Sequence, residues 1–295
     1  MASNPGPFAP RLVRERKRRT AKGFREAAFL HRRIAADLAD RLEAIPRPFA
    51  LALALGGGGL FSEAVRARGE LSARIGEIIE ADLASGIEID PEHLPFADAS
   101  FDLVVSPLAL HTVNDLPGAL IQIRRALRPD GLMLAALFGG ATLNELRLSL
   151  IEAEAELTGG AGPRVAPFAD LADGAALLQR AGFALPAADR DVIIVRYGEP
   201  MRLLADLRAM GETAALAERN PRALSRRILE RAFEIYRAHF SDADARVRAT
   251  FEILTLTGWA PHESQQQPLK PGSAKARLAD ALKTKEQSAG EKAGG

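Results

Sequence analysis

Residues 101–137, FDLVVSPLALHTVNDLPGALIQIRRALRPDGLMLAAL, read as one strand-helix-strand unit, and no other stretch limits the fold as tightly. The run 101–110 is almost wholly apolar, as in a strand covered on both faces. Asp115 stands where a helix N-cap belongs, with Pro117 in the first turn. Leu116, Leu120, Ile123 and Leu127 then recur at the spacing of one helical face. Arg128-Pro129-Asp130-Gly131 stops the helix, and 132–138 reads as a second buried strand. A crossover of this length is parallel and right-handed, so the unit belongs to a doubly wound α/β sheet.

With 295 residues, 47% of them hydrophobic, the chain can bury a large core as one elaborated domain or two. A formal net charge of +1 argues against bulk electrostatic affinity for nucleic acid. The absence of cysteine excludes disulfides, thiolate nucleophiles, iron-sulfur ligation and the usual structural zinc. No apolar run spans a bilayer and the first residues lack a signal-peptide core, which leads us to expect a cytoplasmic or matrix-like compartment.

Positive charge concentrates in 11–26, RLVRERKRRTAKGFRE, expected as part of a basic N-terminal arm covering 1–25. It reads either as a contact for an acidic partner, a nucleic acid or a membrane surface, or as a solvated helix packed through its few apolar residues. A mitochondrial targeting peptide is a third reading, opposed by Glu15 and Glu26. In 26–45, Leu30, Ile34, Leu38 and Leu42 mark an amphipathic helix that Pro46-Arg47-Pro48 ends.

FALALAL at 49–55 is the first strand candidate and runs directly into Gly56-Gly57-Gly58-Gly59. A glycine loop between strand and helix lets a ligand approach the backbone, which suits a nucleotide or an adenosyl group; it also permits close strand-helix packing. As a dinucleotide fingerprint it is poor, because Ser62 takes the place of the third glycine. The next strand, 77–82, ends in Asp82, a candidate acceptor for the two hydroxyls of a ribose or an ordinary acid at a strand end. Only four residues separate it from the strand-like piece 87–90, so this edge of the sheet is abbreviated.

From Asp90 to His111 the pattern becomes specific, and 89–117 resembles the class I S-adenosylmethionine-dependent methyltransferases. Within that superfamily, FDLVVSPLALHTVNDLP, LRPDG, FGGATLNELRLSL, VAPFADLADGAALLQRAGF and GWAPHESQQQP resemble the respiratory complex I assembly arginine hydroxylases, which have a methyltransferase fold. The resemblance implies a cofactor site for S-adenosylmethionine at Gly56, Gly58, Gly59, Asp82 and Asp90, and a respiratory-chain subunit or other protein as partner. It also carries departures. The acid usual near the end of the first strand is Ala54, the glycine loop is one residue short, the family's acid in FGGAT is Ala141, and its aromatic after Leu110-His111 is Thr112.

The remaining helix and strand patterns complete a mostly parallel seven-stranded sheet with a helical insertion at about 141–181 and 200–240. The methyltransferase-like domain is expected over 26–270, followed by a flexible tail at 271–295. Methyl transfer from a sulfonium needs mainly orientation and water exclusion. His111 and His262 are the weak catalytic candidates: His111 as a general base, a wall of the acceptor site or a histidine bonded within its loop, and His262 acting with Glu263 on substrate or serving a structural role near Trp259. Hydroxylation commonly uses iron held by two histidines and a carboxylate, and His31, His93, His111, His239 and His262 show no such pairing in the sequence, so no metal site is expected. Three functions stay open: an S-adenosylmethionine-using enzyme, a non-catalytic assembly or binding protein with a vestigial cofactor site, and a nicotinamide-dependent oxidoreductase.

Overall fold

A computed structural model describes residues 6–82, 87–218 and 224–265. The chain divides into two units, Met1–His262 and Glu263–Gly295, and the first holds every element named here. The expected tail at 271–295 lies outside the described residues.

The order is α1 (Pro10–Thr20), α2 (Phe24–Ala27), α3 (Phe29–Glu43), β1 (Phe49–Leu55), α4 (Leu60–Arg66), α5 (Gly69–Arg74), β2 (Ile75–Ala81) and β3 (Phe101–Pro107). A short 3-10 turn (Leu110–Thr112) leads to α6 (Leu116–Ala126), β4 (Leu127–Phe138), α7 (Asn144–Thr158) and α8 (Leu171–Arg180). Then come β5 (Ala184–Tyr197), α9 (Pro200–Ala209), α10 (Arg226–Phe240) and β6 (Val247–Trp259).

The strands lie in the order β2-β1-β3-β4-β6-β5. β2, β1, β3 and β4 run parallel, while β6 returns antiparallel between β4 and β5. Alternation decides which face each side chain takes. Ala52, Ala54, Leu103, Val105, Leu132 and Leu134 pack with α3, α4, α7 and α10 on one side. Leu53, Leu55, Val104, Met133 and Ala135 pack with α6 and α8 on the other. Burial on both faces explains why β1, β3 and the end of β4 read as apolar runs.

The central crossover forms as its pattern requires. The Asp115 carboxylate accepts from the Gly118 N–H at 2.9 Å, and Leu120 and Ile123 are fully buried against the sheet. The seventh strand is not formed among the described residues. Residues 87–90 make no ladder; Glu88 and Asp90 turn their carboxylates to Arg18 and Arg14 of α1 instead. α7 and α8 fall between β4 and β5, and α9 and α10 between β5 and β6.

The basic stretch is a folded helix tied down at several points. Phe8 bridges antiparallel to Leu216, Ala9 N–H donates to Ala215 O at 2.8 Å, and Phe8 N–H donates to Asn114 Oδ1 at 2.9 Å. Arg16 Nη1 donates to the carbonyls of Thr213 and Ala214. Arg14 reaches Asp90 at 3.5 Å and Arg18 reaches Glu88 at 2.5 Å. Much of the arm's charge is therefore satisfied within the molecule. α1 itself buries no residue, so hydrogen bonds and charge hold it more than apolar contact does.

Candidate functional site

The carboxyl ends of β1, β2 and β3 meet where the strand order reverses, the place at which open α/β sheets bind ligands. Gly56 follows β1, Asp82 follows β2 and Ala109 follows β3, and all three line one crevice of about 90 Å³. Asp90, Ile89 and Thr112 line it from the rim, and Val13, Arg14 and Lys17 of α1 form its roof.

The glycine run takes this course because only glycine tolerates it. All four residues have positive φ, between +57° and +83°. A Cβ on Gly56 would sit 2.6 Å from Ala109 Cβ, and one on Gly57 would sit 2.6 Å from Pro107 Cγ. Close packing of this loop on the segment after β3 thus accounts for part of the glycine content, while Gly56 also faces the crevice. Of the glycines proposed for cofactor contact, Gly58 and Gly59 do not line it. Gly59 caps α4, and the position of its missing Cβ lies 3.7 Å from Arg25 Nη1.

Two of the departures from the resemblance sit beside acids that other strands supply. Ala54 is fully buried and pairs in register with Glu80 of β2, whose carboxylate accepts from the Ser62 hydroxyl of α4. Burial raises the Glu80 carboxyl above its ordinary value, against the hydrogen bonds from Ser62. Ala141 lacks a carboxylate, but its backbone N–H donates to Glu252 Oε2 of β6 at 2.7 Å, so an acid from another strand holds the loop. Neither acid stands out in the sequence, because only the sheet register brings it there.

His111 is buried beneath this region. Its Nε2 lies 2.8 Å from Glu212 Oε2, and His31 Nε2 lies 3.3 Å from Glu212 Oε1. The side chains of His31, His111 and Glu212 are 3%, 1% and 7% exposed, so the cluster is closed to bulk water. Burial opposes ionisation of Glu212, but its pairing with His111, and then with His31, holds its carboxyl well below the usual carboxylate range. Sequence reading took the histidines one at a time and missed Glu212, which lies in a loop without a motif. Two imidazoles do meet a carboxylate here, yet no group of three ligand-type side chains among the described residues could hold a metal ion. His262 is exposed and does not line the crevice.

The donor set fits an adenosyl group: a backbone turn without Cβ atoms, a carboxylate at the end of β2 for ribose hydroxyls, and a second acid on the rim. The volume fits only in part. Ligand pockets usually reach roughly 300–1,000 Å³, so a ligand of this size requires the roof residues of α1 to move outward.

Comparison with known proteins agrees with this architecture. Residues 56–135 match the methyltransferase domain family. The solved structure of YcgJ from Bacillus subtilis superposes with a TM-score of 0.50 at 16% identity, covering 77% of this chain and 98% of that one, which supports the shared fold. The fold and crevice define a protein of the class I S-adenosylmethionine-dependent methyltransferase type. The human mitochondrial arginine-hydroxylase NDUFAF5 is 41% identical over 261 residues, 83% of this chain and 74% of the relative. A malonyl-[acyl-carrier protein] O-methyltransferase from Halorhodospira halophila is 32% identical over 277 residues, 87% of this chain and 90% of the relative. The chain belongs to the methyltransferase-fold family that includes the NDUFAF5 arginine-hydroxylases.

Proposed function

We propose that the chain binds S-adenosylmethionine in the crevice between Gly56, Asp82 and Asp90 and acts on a protein or small-molecule acceptor, with a respiratory-chain subunit as the partner its family suggests. The observation that carries the reading is the convergence of those three residues at the ends of the parallel strands. Asp82 accepts from the ribose, Gly56 admits the ligand against the backbone, and Asp90 with Ile89 lines the far wall. When bound, the cofactor supplies an activated methyl group. The chain supplies orientation, and α1 closing over the crevice supplies exclusion of water. The compartment proposed is the bacterial cytoplasm or, in a eukaryote, the matrix side. No helix among the described residues is long and apolar enough to cross a membrane.

One observation favours a second reading. α1 narrows the crevice to about 90 Å³, as expected of an assembly or binding protein whose cofactor site is vestigial. Calorimetry with S-adenosylmethionine and S-adenosylhomocysteine separates the two. Binding that is lost in Asp82→Ala supports the enzyme; no heat at millimolar ligand leaves the scaffold. Uptake of NAD without response to either adenosyl ligand would favour the oxidoreductase.

A further inference from the structure

Glu212 divides two small cavities, each of about 30 Å³. On one side it faces His31, Gly57 and Asp82; on the other it faces His111, Thr112, Phe168 and Arg16. An ionised carboxylate only accepts hydrogen bonds, so the nitrogen that each imidazole turns toward it carries the proton. Both Nε2 atoms face Glu212, which leaves Nδ1 as the other polar edge of each ring, and both Nδ1 atoms are buried without a hydrogen-bond partner. A second proton on either ring would be a buried donor with no acceptor, a costly arrangement.

Lys17 lines both cavities, and Arg16 lines the His111 side. Asp82 is the other acid lining the His31 side. The remaining close partners are apolar rings: Phe24 at 4.9 Å from His31, and Phe138 and Phe168 at 4.5 and 5.8 Å from His111.

We propose that His111 takes the proton from an acceptor that reacts through a neutral N–H or O–H group, and that Glu212 and His31 are positioning residues that keep its Nδ1 an unprotonated base. The inference rests on the methyl-transfer reading above. As the acceptor's nitrogen or oxygen bonds to the methyl carbon, the carbon–sulfur pair returns to sulfur, leaving a neutral thioether. The acceptor's proton passes to Nδ1, and the resulting imidazolium is neutralised by Glu212. His31 occupies the second carboxylate oxygen and so stops Glu212 from turning away from His111. The outward movement of α1 that admits the cofactor also opens the His111 cavity, because α1 supplies Arg16 and Lys17 to its wall.

The test uses the full chain labelled with ¹⁵N-histidine, with ring tautomers read from two-bond proton–nitrogen correlations at neutral pH. His111 is expected as a neutral ring protonated on Nε2. In Glu212→Gln one side-chain oxygen still accepts but the amide donates, so one of the two rings must change tautomer; Glu212→Asp should restore the wild-type pattern. His111 carrying a proton on Nδ1 in the wild type, or an unaltered spectrum in Glu212→Gln, overturns the inference. Iodoacetamide then probes Nδ1 directly, with mass spectrometry locating the adduct. In the Arg14→Ala, Arg18→Ala double variant, His111 should be alkylated about tenfold faster than in the triple variant that adds Glu212→Gln, the worth of one charge-assisted hydrogen bond. Equal rates, or no reaction, sink the base. Wild-type binding of S-adenosylhomocysteine keeps the two claims apart: no heat removes the methyl-transfer reading itself, whereas heat with the wrong tautomer removes only the base.

Discussion

The centre of the sheet and the rim of the crevice are held by different forces. β1, β3, β4 and α6 are fixed by side chains such as Leu53, Phe101, Leu120 and Met133, each at most 1% exposed. The rim is held by charge: Arg14 to Asp90, Arg18 to Glu88, and Arg16 to two carbonyls. Apolar burial of a Leu or Phe stabilises by roughly 1.5–3 kcal/mol, whereas an exposed ion pair gives about 0–1 kcal/mol. The molecule thus sets an apolar floor beneath a roof held mainly by polar contacts, and ligand entry requires the roof to move.

Four measurements would break or sharpen this contrast. Phe101→Ala empties a position in the floor that is 1% exposed, and urea unfolding should show a loss of about 3–5 kcal/mol; a loss below 1 kcal/mol would mean the floor is not the stable part. Glu212→Ala leaves two buried imidazole N–H groups without an acceptor and should cost about 3 kcal/mol. Because the folded carboxyl of Glu212 lies below its ordinary value of 4.5, its stabilisation is full above that value and fades as pH falls below it. The wild type should therefore lose stability more steeply in acid than Glu212→Ala, and parallel curves would refute the coupling. Asp115→Ala removes the cap of α6 and should cost about 1 kcal/mol by the same unfolding assay. Smallest in stability is Arg14→Ala with Arg18→Ala, within about 1 kcal/mol of wild type. If the roof gates entry, this double variant should nonetheless bind S-adenosylhomocysteine more tightly, by about threefold, and added salt should have less effect on its affinity than on that of the wild type. Weaker binding would show that the two arginines hold ligand rather than exclude it.

Legibility followed the range of the interactions. The β3-α6-β4 unit could be read because its cap, helical stripe and apolar runs lie within neighbouring residues; the structure reproduces the cap, the stripe through Ile123 and both strands, although Leu127 opens β4 rather than closing α6, because it pairs with Phe101. β5 extends over Ala184–Tyr197 through polar positions such as Asp189 and Arg190, which no apolar alternation marks, because pairing with β6 carries the ladder there. Of the site, Asp82 and Asp90 could be proposed because strand ends and a recognisable string mark them. Glu212 and Glu80 could not. Each acts through partners brought by tertiary folding or sheet register, and neither sits in a periodic pattern. The 11–26 stretch was ambiguous for the same reason: several of its acceptors, the carbonyls of Thr213 and Ala214 among them, lie far along the chain.

That last separation orders the events of biosynthesis. Arg16 and the carbonyl of Ala214 are 198 positions apart, so α1 leaves the ribosome long before its anchor exists. Contacts spanning so much chain close late because the entropy of joining their ends is lost before they return any stabilisation. The nascent protein therefore passes through an interval in which β1 to β4, complete by Phe138, can pair while the crevice they flank is still uncovered. A ligand or chaperone present at that stage would meet a wider opening than the finished molecule offers.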